Sequence, residues 1–414
     1  MSNLSDKLKA LGVKVGVSDI PKPQKLSGNS IRDVVDGTYR DTPHGRIFIV
    51  ERFYDSGYHQ GNSSLVIPTP LTTVSEWVKD ARLAHLPLES LGFIDTETTG
   101  LSGGTGTYAF LIGAGRFEEG QFHLVQFFMA DPSEEPALLY TLEEFLAPCQ
   151  VTVTFNGKSF DLPLLRIRFA MNGLEDPFIE YIHIDLLHMA RRIWRDSLPS
   201  KSLGNLESKI LATQRTEDDV PGWLIPQLYF NYLHDGDAAP LKNVFYHNSM
   251  DVVSMAALLN HITWLFKEIP DNPQILPDVQ LAVARLYCDL GHNDTAVRIF
   301  HHILKTDPSS PNPLPCQLRL DVLNRLARIY KEAGDFDNAQ VFWIEAAFLN
   351  DPNACIELAK LNEHFLKKIP EAIQWTLAAD LAVDRGNIRN EEKMKLKSEL
   401  IHRLNRLERK MQAI

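Results

Sequence analysis

Hydrophobic and polar positions change their pattern about two thirds of the way along the chain. Between about residues 76 and 268, short runs rich in Phe, Leu and Val alternate with segments whose apolar positions recur every three or four residues. The short apolar runs are typical of strands, and the segments with apolar positions every three or four residues are typical of amphipathic helices. This alternation predicts an α/β domain with a mixed sheet and flanking helices.

The predicted strands lie in three stretches. The sequence shows SLGFIDTETT, then TYAFLIGAGRFEEGQFHLVQFFMA, then VTVTF. In the second stretch EEGQ separates two apolar runs, which predicts a hairpin turn. Two segments predict helices: TVSEWVKDARLAHL, which precedes these stretches, and PALLYTLEEFLAP, which lies between the second and the third.

Residues 1–75 and 269–414 differ from this central part. The first segment is polar and rich in turn residues, with one strand-like run, RIFIVERFY, which predicts an irregular arm packed on the next domain. The last segment shows only helical patterns. We therefore predict three parts: an N-terminal arm over 1–75, an α/β domain over 76–268 and a helical domain over 269–414.

Three segments of the helical domain share a pattern. They are ARLYCDLGHNDTAVRIF, ARIYKEAGDFDNAQVFW and AKLNEHFLKKIPEAIQW, and their equivalent alanines, Ala296, Ala339 and Ala372, are 43 and 33 residues apart. The shorter spacing is close to the tetratricopeptide period of about 34. Gly291 and Gly334 fall in the predicted turns. The pattern resembles a tetratricopeptide-like array, and a generic helical bundle is the alternative.

Composition and charge narrow the classes of function. The chain of 414 residues is 44% hydrophobic and 23% charged, as in ordinary globular proteins. Its net charge of −11 has the wrong sign for a protein that coats nucleic acid or membrane, so a polyanion must meet a local site. The four cysteines form no CxxC pair and no membrane-spanning apolar run is present. We expect a cytoplasmic location and no membrane partner.

The first acidic pair lies in FIDTETTGL, where Asp95 and Glu97 are two residues apart at a predicted strand end. Residues i and i+2 of a strand point to the same side, so the two carboxylates converge. Burying both is costly unless a cation lies between them, and Mg²⁺ or Mn²⁺ prefers such oxygen ligands. By itself the pair is also explained by a solvated strand end.

Two further acids follow in similar settings. Asp161 lies in the first turn of a predicted helix after VTVTF, where it binds a metal or only stabilises the helix dipole. Asp251 lies near the start of another predicted helix, one turn after His247. A histidine and a carboxylate on one helix face are candidates for a general base beside a metal. The alternative for His247 is an ordinary capping residue.

Polar and basic residues near these acids are candidates for substrate binding. Asn156 starts the turn after VTVTF, and Asp185 follows another predicted strand, where it reaches the site or caps the next helix. Basic residues cluster in this part of an acidic chain, which favours a positive groove for nucleic acid over a set of solvated helix faces. They are Lys158, Arg166, Arg168, Arg191, Arg192, Arg195, Lys201 and Lys209.

The order and setting of the four acids resemble those of the DEDD 3′–5′ exonucleases, which have a ribonuclease H-like fold. FIDTETTGL resembles their first motif. FNGKSFDLPLL, HIDLLHMARR, SLGNLESKIL and HNSMDVVSM resemble the YprB-type branch, in which a ribonuclease H-like domain precedes tetratricopeptide-like helices. The resemblance extends over roughly residues 40 to 390.

The resemblance implies a metal-dependent 3′–5′ exonuclease that hydrolyses DNA or RNA. Two divalent ions, Mg²⁺ or Mn²⁺, are implied, one activating water for in-line attack and the other stabilising the leaving 3′ oxygen. Their implied ligands are Asp95, Glu97, Asp161 and Asp251.

One feature departs from the family. One subgroup places tyrosine four residues before the last aspartate and the other places histidine five before it, whereas here His247 is four before Asp251 and Tyr246 five before. Because histidine titrates near neutral pH, His247 is the better candidate for orienting or deprotonating water. The exchange also leaves open an alternative, a weak or inactive nuclease-derived protein that binds nucleic acid while its helical repeats dock a protein partner.

Overall fold

The computed structural model describes residues 28–100, 106–216, 218–269, 272, 275–305, 314–386 and 389–412. These residues fall into two compact units. The first is drawn from Met1–Met189 and Ser200–Trp264, and the second from Ala190–Pro199 and Leu265–Ile414.

Unit 1 is built on a seven-stranded sheet with the strand order β1-β2-β7-β6-β5-β8-β9. Strands β5, β8 and β9 are parallel neighbours, and the other neighbours are antiparallel. This confirms the predicted mixed sheet with flanking helices. The strands are β1 Thr38–Thr42, β2 Gly45–Tyr54, β3 His59–Gln60, β4 Ser63–Ser64, β5 Leu91–Thr98, β6 Ala109–Glu118, β7 Gln121–Phe128, β8 Val151–Thr154 and β9 Ile182–Asp185, of which β3 and β4 form a separate pair.

Helices cover the sheet and connect its strands. A π-helical turn, Glu207–Leu211, lies between two of them. The α-helices up to the end of unit 1 are α1 Ile31–Val34, α2 Thr72–Val78, α3 Glu135–Leu146, α4 Asp161–Met171, α5 Leu186–Ile193, α6 Leu203–Leu206, α7 Ile225–Asp235 and α8 Leu241–Glu268.

The segment predicted to be an irregular arm contributes regular structure to the sheet. Its strand-like run RIFIVERFY lies in β2, which pairs with β7, and β1 pairs with β2 at the sheet edge. Four consecutive residues of β2, Ile47 to Val50, are buried. The description of the arm as irregular is therefore wrong for residues 38–54, while residues 1–27 lie outside the described part of the chain.

Aromatic packing and two glycines bring the helices close to the sheet. Phe110 of β6 stacks on Tyr229 of α7 with ring centroids 4.0 Å apart. A Cβ atom on Gly113 would lie 2.4 Å from Asn248 Oδ1, and one on Gly115 would lie 3.0 Å from Val252 Cγ1. Glycine at these two positions of β6 therefore lets α8 approach the sheet closely.

Unit 2 is helical in its described residues, which confirms the predicted all-helical C-terminal region. Ala296, Ala339 and Ala372 are fully buried in the second helix of three successive hairpins. The helices are α9 Pro277–Asp289, α10 Asn293–Leu304, α11 Cys316–Glu332, α12 Phe336–Phe348, α13 Pro352–His364, α14 Ile369–Arg385 and α15 Asn390–Gln412.

The turns of these three hairpins share one backbone conformation. Gly291 and Gly334 have φ angles of 86° and 79°, in the left-handed region. Lys367 occupies the equivalent position in the third hairpin, with φ of 58°. Since each of the three precedes its buried alanine by five residues, the backbone repeat is more regular than the sequence repeat.

No helix in the described part of the chain is both long and apolar enough to cross a membrane.

Candidate active site

The site is centred on the carboxyl end of β5. β5 pairs with β8 only from Leu91 to Phe93, so the part of β5 that carries Asp95 and Glu97 extends beyond its parallel neighbour. Helix α4 begins beside this free edge. Its first residue, Asp161, accepts a hydrogen bond of 2.5 Å from Thr96 Oγ1, and the Thr96 backbone also donates to it. The strand end thus holds the second acidic segment against the first.

Helix α8 brings the fourth acid and the histidine. Asn248, which lies opposite Gly113, donates from Nδ2 to Asp95 Oδ2 at 2.9 Å. Its Oδ1 accepts from the buried Gln126 at 2.9 Å. This chain of amides orients Asp95 and fixes the start of α8 against the sheet. His247 Nε2 lies 3.7 Å from Asp251 Oδ2, as expected for residues one helical turn apart.

Mutual repulsion identifies the four carboxylates as one cluster. Burial, followed by the charges of Asp251 and the other cluster acids, raises the pKa of Asp95 well above its usual value, and the same effects raise the pKa of Glu97. Burial raises the pKa of Asp161 to about 6 against the hydrogen bonds from Thr96. Burial also raises the pKa of Asp251. Four buried acids therefore need a positive charge nearby.

The chemistry of this donor set fits a divalent cation. Glu97 is only 9% exposed and has no hydrogen-bond or ion-pair partner among the described residues. Oxygen-only ligands suit Mg²⁺ and Mn²⁺. Within the described ranges, however, no three His, Cys, Asp or Glu side chains are arranged to hold a metal ion. Asp95, Asp161 and Asp251 each bond a different protein group.

The group bonded to Asp251 is the guanidinium of Arg215, which sequence reasoning missed. Arg215 lies in the loop after the π-helical turn, and its Nη2 donates to Asp251 Oδ1. Its Nε and Nη2 also donate to the two oxygens of the buried Glu207, at 2.7 and 2.8 Å. A cation belonging to the chain therefore partly offsets the charge of the cluster.

The same loop contacts the two residues whose order departs from the family. His247 Nδ1 lies 2.7 Å from Asp219 Oδ1 and 3.1 Å from Arg215 Nη1, while its Nε2 faces Asp251. Tyr246 accepts a hydrogen bond from the Thr216 backbone at 3.0 Å. His247 therefore adjoins the acid cluster, whereas the Tyr246 hydroxyl bonds the loop.

Asp185 lies beneath the loop that precedes α4. Its carboxylate accepts hydrogen bonds from the backbone N–H groups of Asn156 at 2.9 Å, Lys158 at 3.1 Å and Leu187 at 3.1 Å. It thus caps α5 and holds the turn in which Asn156 adopts a left-handed conformation, with φ of 69°. Of the two sequence alternatives, these contacts favour the cap.

The predicted basic cluster is not uniform. Arg168 is buried and paired with Glu135 at 2.5 Å, so it cannot contribute to a phosphate groove. Arg166 pairs with Asp176 at 3.0 Å. Arg192 and Arg195 pair with acidic side chains of unit 2. Lys158, Arg191 and Lys209 are exposed, whereas Lys201 is half-buried.

The functional candidates that the sequence did not reveal are separated along the chain from the acids they contact. Asn248 adjoins His247, so its position was a usable signal. Glu207 begins the π-helical turn, Arg215 and Asp219 lie in the loop after it, and only the fold brings the three to α8.

Comparison with known proteins agrees with this fold. A family model of the RNase H superfamily matches residues 92–263, the part that holds β5, α4 and the site half of α8. This region is thus an RNase H superfamily domain, which supports a nucleic-acid-acting hydrolase. The chain is also 33% identical over 294 residues to the uncharacterized protein YprB of Bacillus subtilis (strain 168), covering 69% of this chain and 68% of that protein. The chain belongs to the YprB family.

Proposed function

We propose that the protein is a metal-dependent 3′–5′ exonuclease acting on DNA or RNA. The observation that supports this most is the convergence of four carboxylates at the carboxyl end of β5, the buried Glu97 and Asp161 and the half-buried Asp95 and Asp251. Open α/β sheets bind ligands at such strand ends. Fewer acids would be enough for any purely structural role of this cluster.

The four carboxylates would hold two divalent ions, Mg²⁺ or Mn²⁺. When bound, these ions would activate a water molecule for in-line attack on the terminal phosphodiester and stabilise the leaving 3′ oxygen. Asn248 and Thr96 keep Asp95 and Asp161 oriented toward the site.

His247 is the proposed residue for orienting or deprotonating the attacking water. Asp219 accepts from its Nδ1, which leaves Nε2 directed at Asp251 and the site. A ring fixed at one nitrogen presents the other in a defined orientation. Tyr246 is the less favoured alternative because its hydroxyl bonds the loop.

The loop before α4 is the proposed contact for the nucleic-acid backbone. Asn156 and Lys158 lie on the turn that Asp185 holds, and the exposed Lys158 provides a cation for phosphate. Arg166 is a weaker candidate because Asp176 already pairs with it. Asp185 acts in this proposal by positioning the turn.

One observation favours the second candidate function, a nuclease-derived protein that binds nucleic acid and docks a partner on tetratricopeptide-like helices. Arg215 forms an ion pair with Asp251. A cluster that already has a cation is compatible with a domain that retains the fold and has lost the reaction.

The deciding experiment is degradation of 5′-labelled single-stranded DNA and RNA in Mg²⁺ or Mn²⁺. We expect a ladder that shortens from the 3′ end, is abolished by chelator and falls at least about 100-fold in Glu97→Gln and Asp251→Asn, since each removes a ligand charge without changing shape.

Glu89→Gln is the matched control, because Glu89 is an exposed carboxylate outside the cluster. It should cleave like the wild type. Absence of cleavage by the wild type, together with retained binding of labelled strands, would favour the second function. Internal cleavage products would instead exclude the exonucleolytic mode.

A further inference from the structure

The guanidinium of Arg215 lies inside the acid cluster and is held there by a residue outside it. Its Nε is 2.7 Å from Glu207 Oε2 and its Nη2 is 2.8 Å from Glu207 Oε1, a two-point contact in which both side chains are nearly buried, at 13% and 2% exposure. Such a fork geometry fixes the orientation of the guanidinium. The positive charge is therefore a fixed part of the site.

The fixed guanidinium compensates the acids unevenly. Nη2 also donates to Asp251 Oδ1, and Nη1 lies 3.4 Å from Asp219 Oδ1. Glu97, by contrast, has no hydrogen-bond or ion-pair partner in the described part of the chain. One proposed metal ligand, Asp251, is thus bonded to a counter-charge, whereas Glu97 is influenced by the same guanidinium without bonding it.

We propose that Arg215, anchored by Glu207, competes with a divalent ion for Asp251 and thereby lowers the metal affinity of the site. The proposal rests on the proposed function, because it takes Asp251 as a metal ligand. Nη2 donates to one of the two Asp251 oxygens that a cation could use. A second positive charge at this carboxylate is repelled by the first, and the repulsion is little screened in a buried site.

The contact with Glu207 distinguishes Arg215 from an arginine in an ordinary surface ion pair. If Asp251 were the only partner of Arg215, a metal could displace the side chain into solvent at little cost. Because Glu207 keeps two hydrogen bonds to the guanidinium, Arg215 stays beside the cluster even after Asp251 is released. Its repulsion therefore acts on the metal-bound state as well.

The test is Mn²⁺ binding to the full-length chain, measured as loss of the free-ion electron paramagnetic resonance signal. The double variant Glu207→Gln with Arg215→Gln replaces the buried pair by two amides that can bond each other. We expect it to bind Mn²⁺ several-fold more tightly than the wild type, because the positive charge removed is bonded directly to Asp251, whereas the negative charge removed with it is bonded to the guanidinium. Arg215→Lys keeps the charge and should bind close to the wild-type affinity.

Arg40→Gln is the control, since Arg40 pairs with Glu144 on a half-exposed surface and should leave Mn²⁺ affinity unchanged. Thermal unfolding in chelator verifies that each variant is folded. Unchanged or weaker Mn²⁺ binding by the double variant, or no binding by any form, would overturn the proposal. Cleavage is assayed separately. Tighter Mn²⁺ binding by the double variant without cleavage by any form would reject the exonuclease and support the competition. Cleavage with unchanged Mn²⁺ affinity would support the exonuclease and reject the competition.

Discussion

A buried carboxyl group surrounded by other acids is easier to protonate than one in water. In the cluster this applies most directly to Asp161, whose pKa burial raises to about 6 from the usual 3.8. The protonated form is thus favoured by folding. Its contribution to stability is fully present below about pH 4 and is lost as the pH rises through about 6.

The first prediction follows from the direction of this pH dependence of stability. In chelator, wild-type protein should lose stability relative to Asp161→Asn between about pH 4 and 7, by up to a few kcal/mol, because the amide keeps the hydrogen bonds from Thr96 without the charge. Urea unfolding at several pH values measures the difference. A constant difference across this range would show that Asp161 does not titrate with a raised pKa in the fold.

For individual residues, the sequence predicted the four acids of the cluster but not the side chains that they contact. Asp95, Glu97 and Asp161 were identifiable because each lies at a strand or helix end with a local pattern, whereas Asp251 lies in the interior of α8 and not near the helix start as predicted. Arg215 and Glu207 were not identifiable, because a buried ion pair between a loop and the π-helical turn before it leaves no periodic signal. The cost of their burial and the gain from their contact depend on the tertiary structure.

Among the secondary-structure elements, the closeness of β6 and α8 determines how Asp95 meets Asn248. Gly113 permits this approach, and a Cβ atom there would lie 2.4 Å from Asn248 Oδ1 and 2.9 Å from Val252 Cγ2. Both neighbours belong to a helix packed on the sheet, so neither can move freely. The geometry of the site therefore depends on a residue with no side chain.

The second prediction is that Gly113→Ala destabilises the fold by about 1–3 kcal/mol, as overpacking does in buried positions. Chemical denaturation provides the measurement. Gly222→Ala is the control, because a Cβ atom there meets nothing within 4 Å. Equal stability of the two variants would mean that α8 shifts without cost.

The third prediction concerns the hairpin turns of the helical unit. Lys367 has a left-handed backbone at a position where the two preceding hairpins have glycine. Lys367→Gly should therefore stabilise the chain by about 0.5–1 kcal/mol, because a non-glycine residue is strained there. Gly334→Lys, the reciprocal change, should destabilise it. The stability of both variants is measured from the midpoint of urea unfolding. The prediction requires Lys367→Gly to raise this midpoint and Gly334→Lys to lower it.

Elements were predicted best where apolar periodicity was long. The central strands and the helices of unit 2 follow from their patterns, whereas β1 has a polar pattern with no buried residue and was not recognised. By residue type the third repeat departs from the other two, because Lys367 replaces the turn glycine. The turn at Lys367 preserves the backbone conformation without preserving the residue.

For the whole molecule, a net charge of −11 means that nucleic acid must be met by a local positive surface. Bound divalent ions would add positive charge where the protein is most acidic. A ligand that binds only the folded state stabilises it, by about 2.7 kcal/mol at 100 times its Kd.

The fourth prediction is that Mn²⁺ raises the unfolding temperature of the wild type, and that the rise grows with the logarithm of the ion concentration. Differential scanning fluorimetry in a series of Mn²⁺ concentrations measures it. Glu97→Gln should reduce the rise strongly, whereas Glu89→Gln should not. An equal rise in both variants would place the bound ion elsewhere.

The ion pair between Arg215 and Asp251 also bears on how the chain is made. Domains whose like charges have no internal counter-ion depend on metal to complete folding. Here a newly synthesised chain can partly offset the charge of its acid cluster with Arg215. If the site binds divalent ions as proposed, we therefore expect ribosomal production of folded protein to continue during metal starvation, so that a stock of unloaded molecules accumulates and takes up ions when the supply returns.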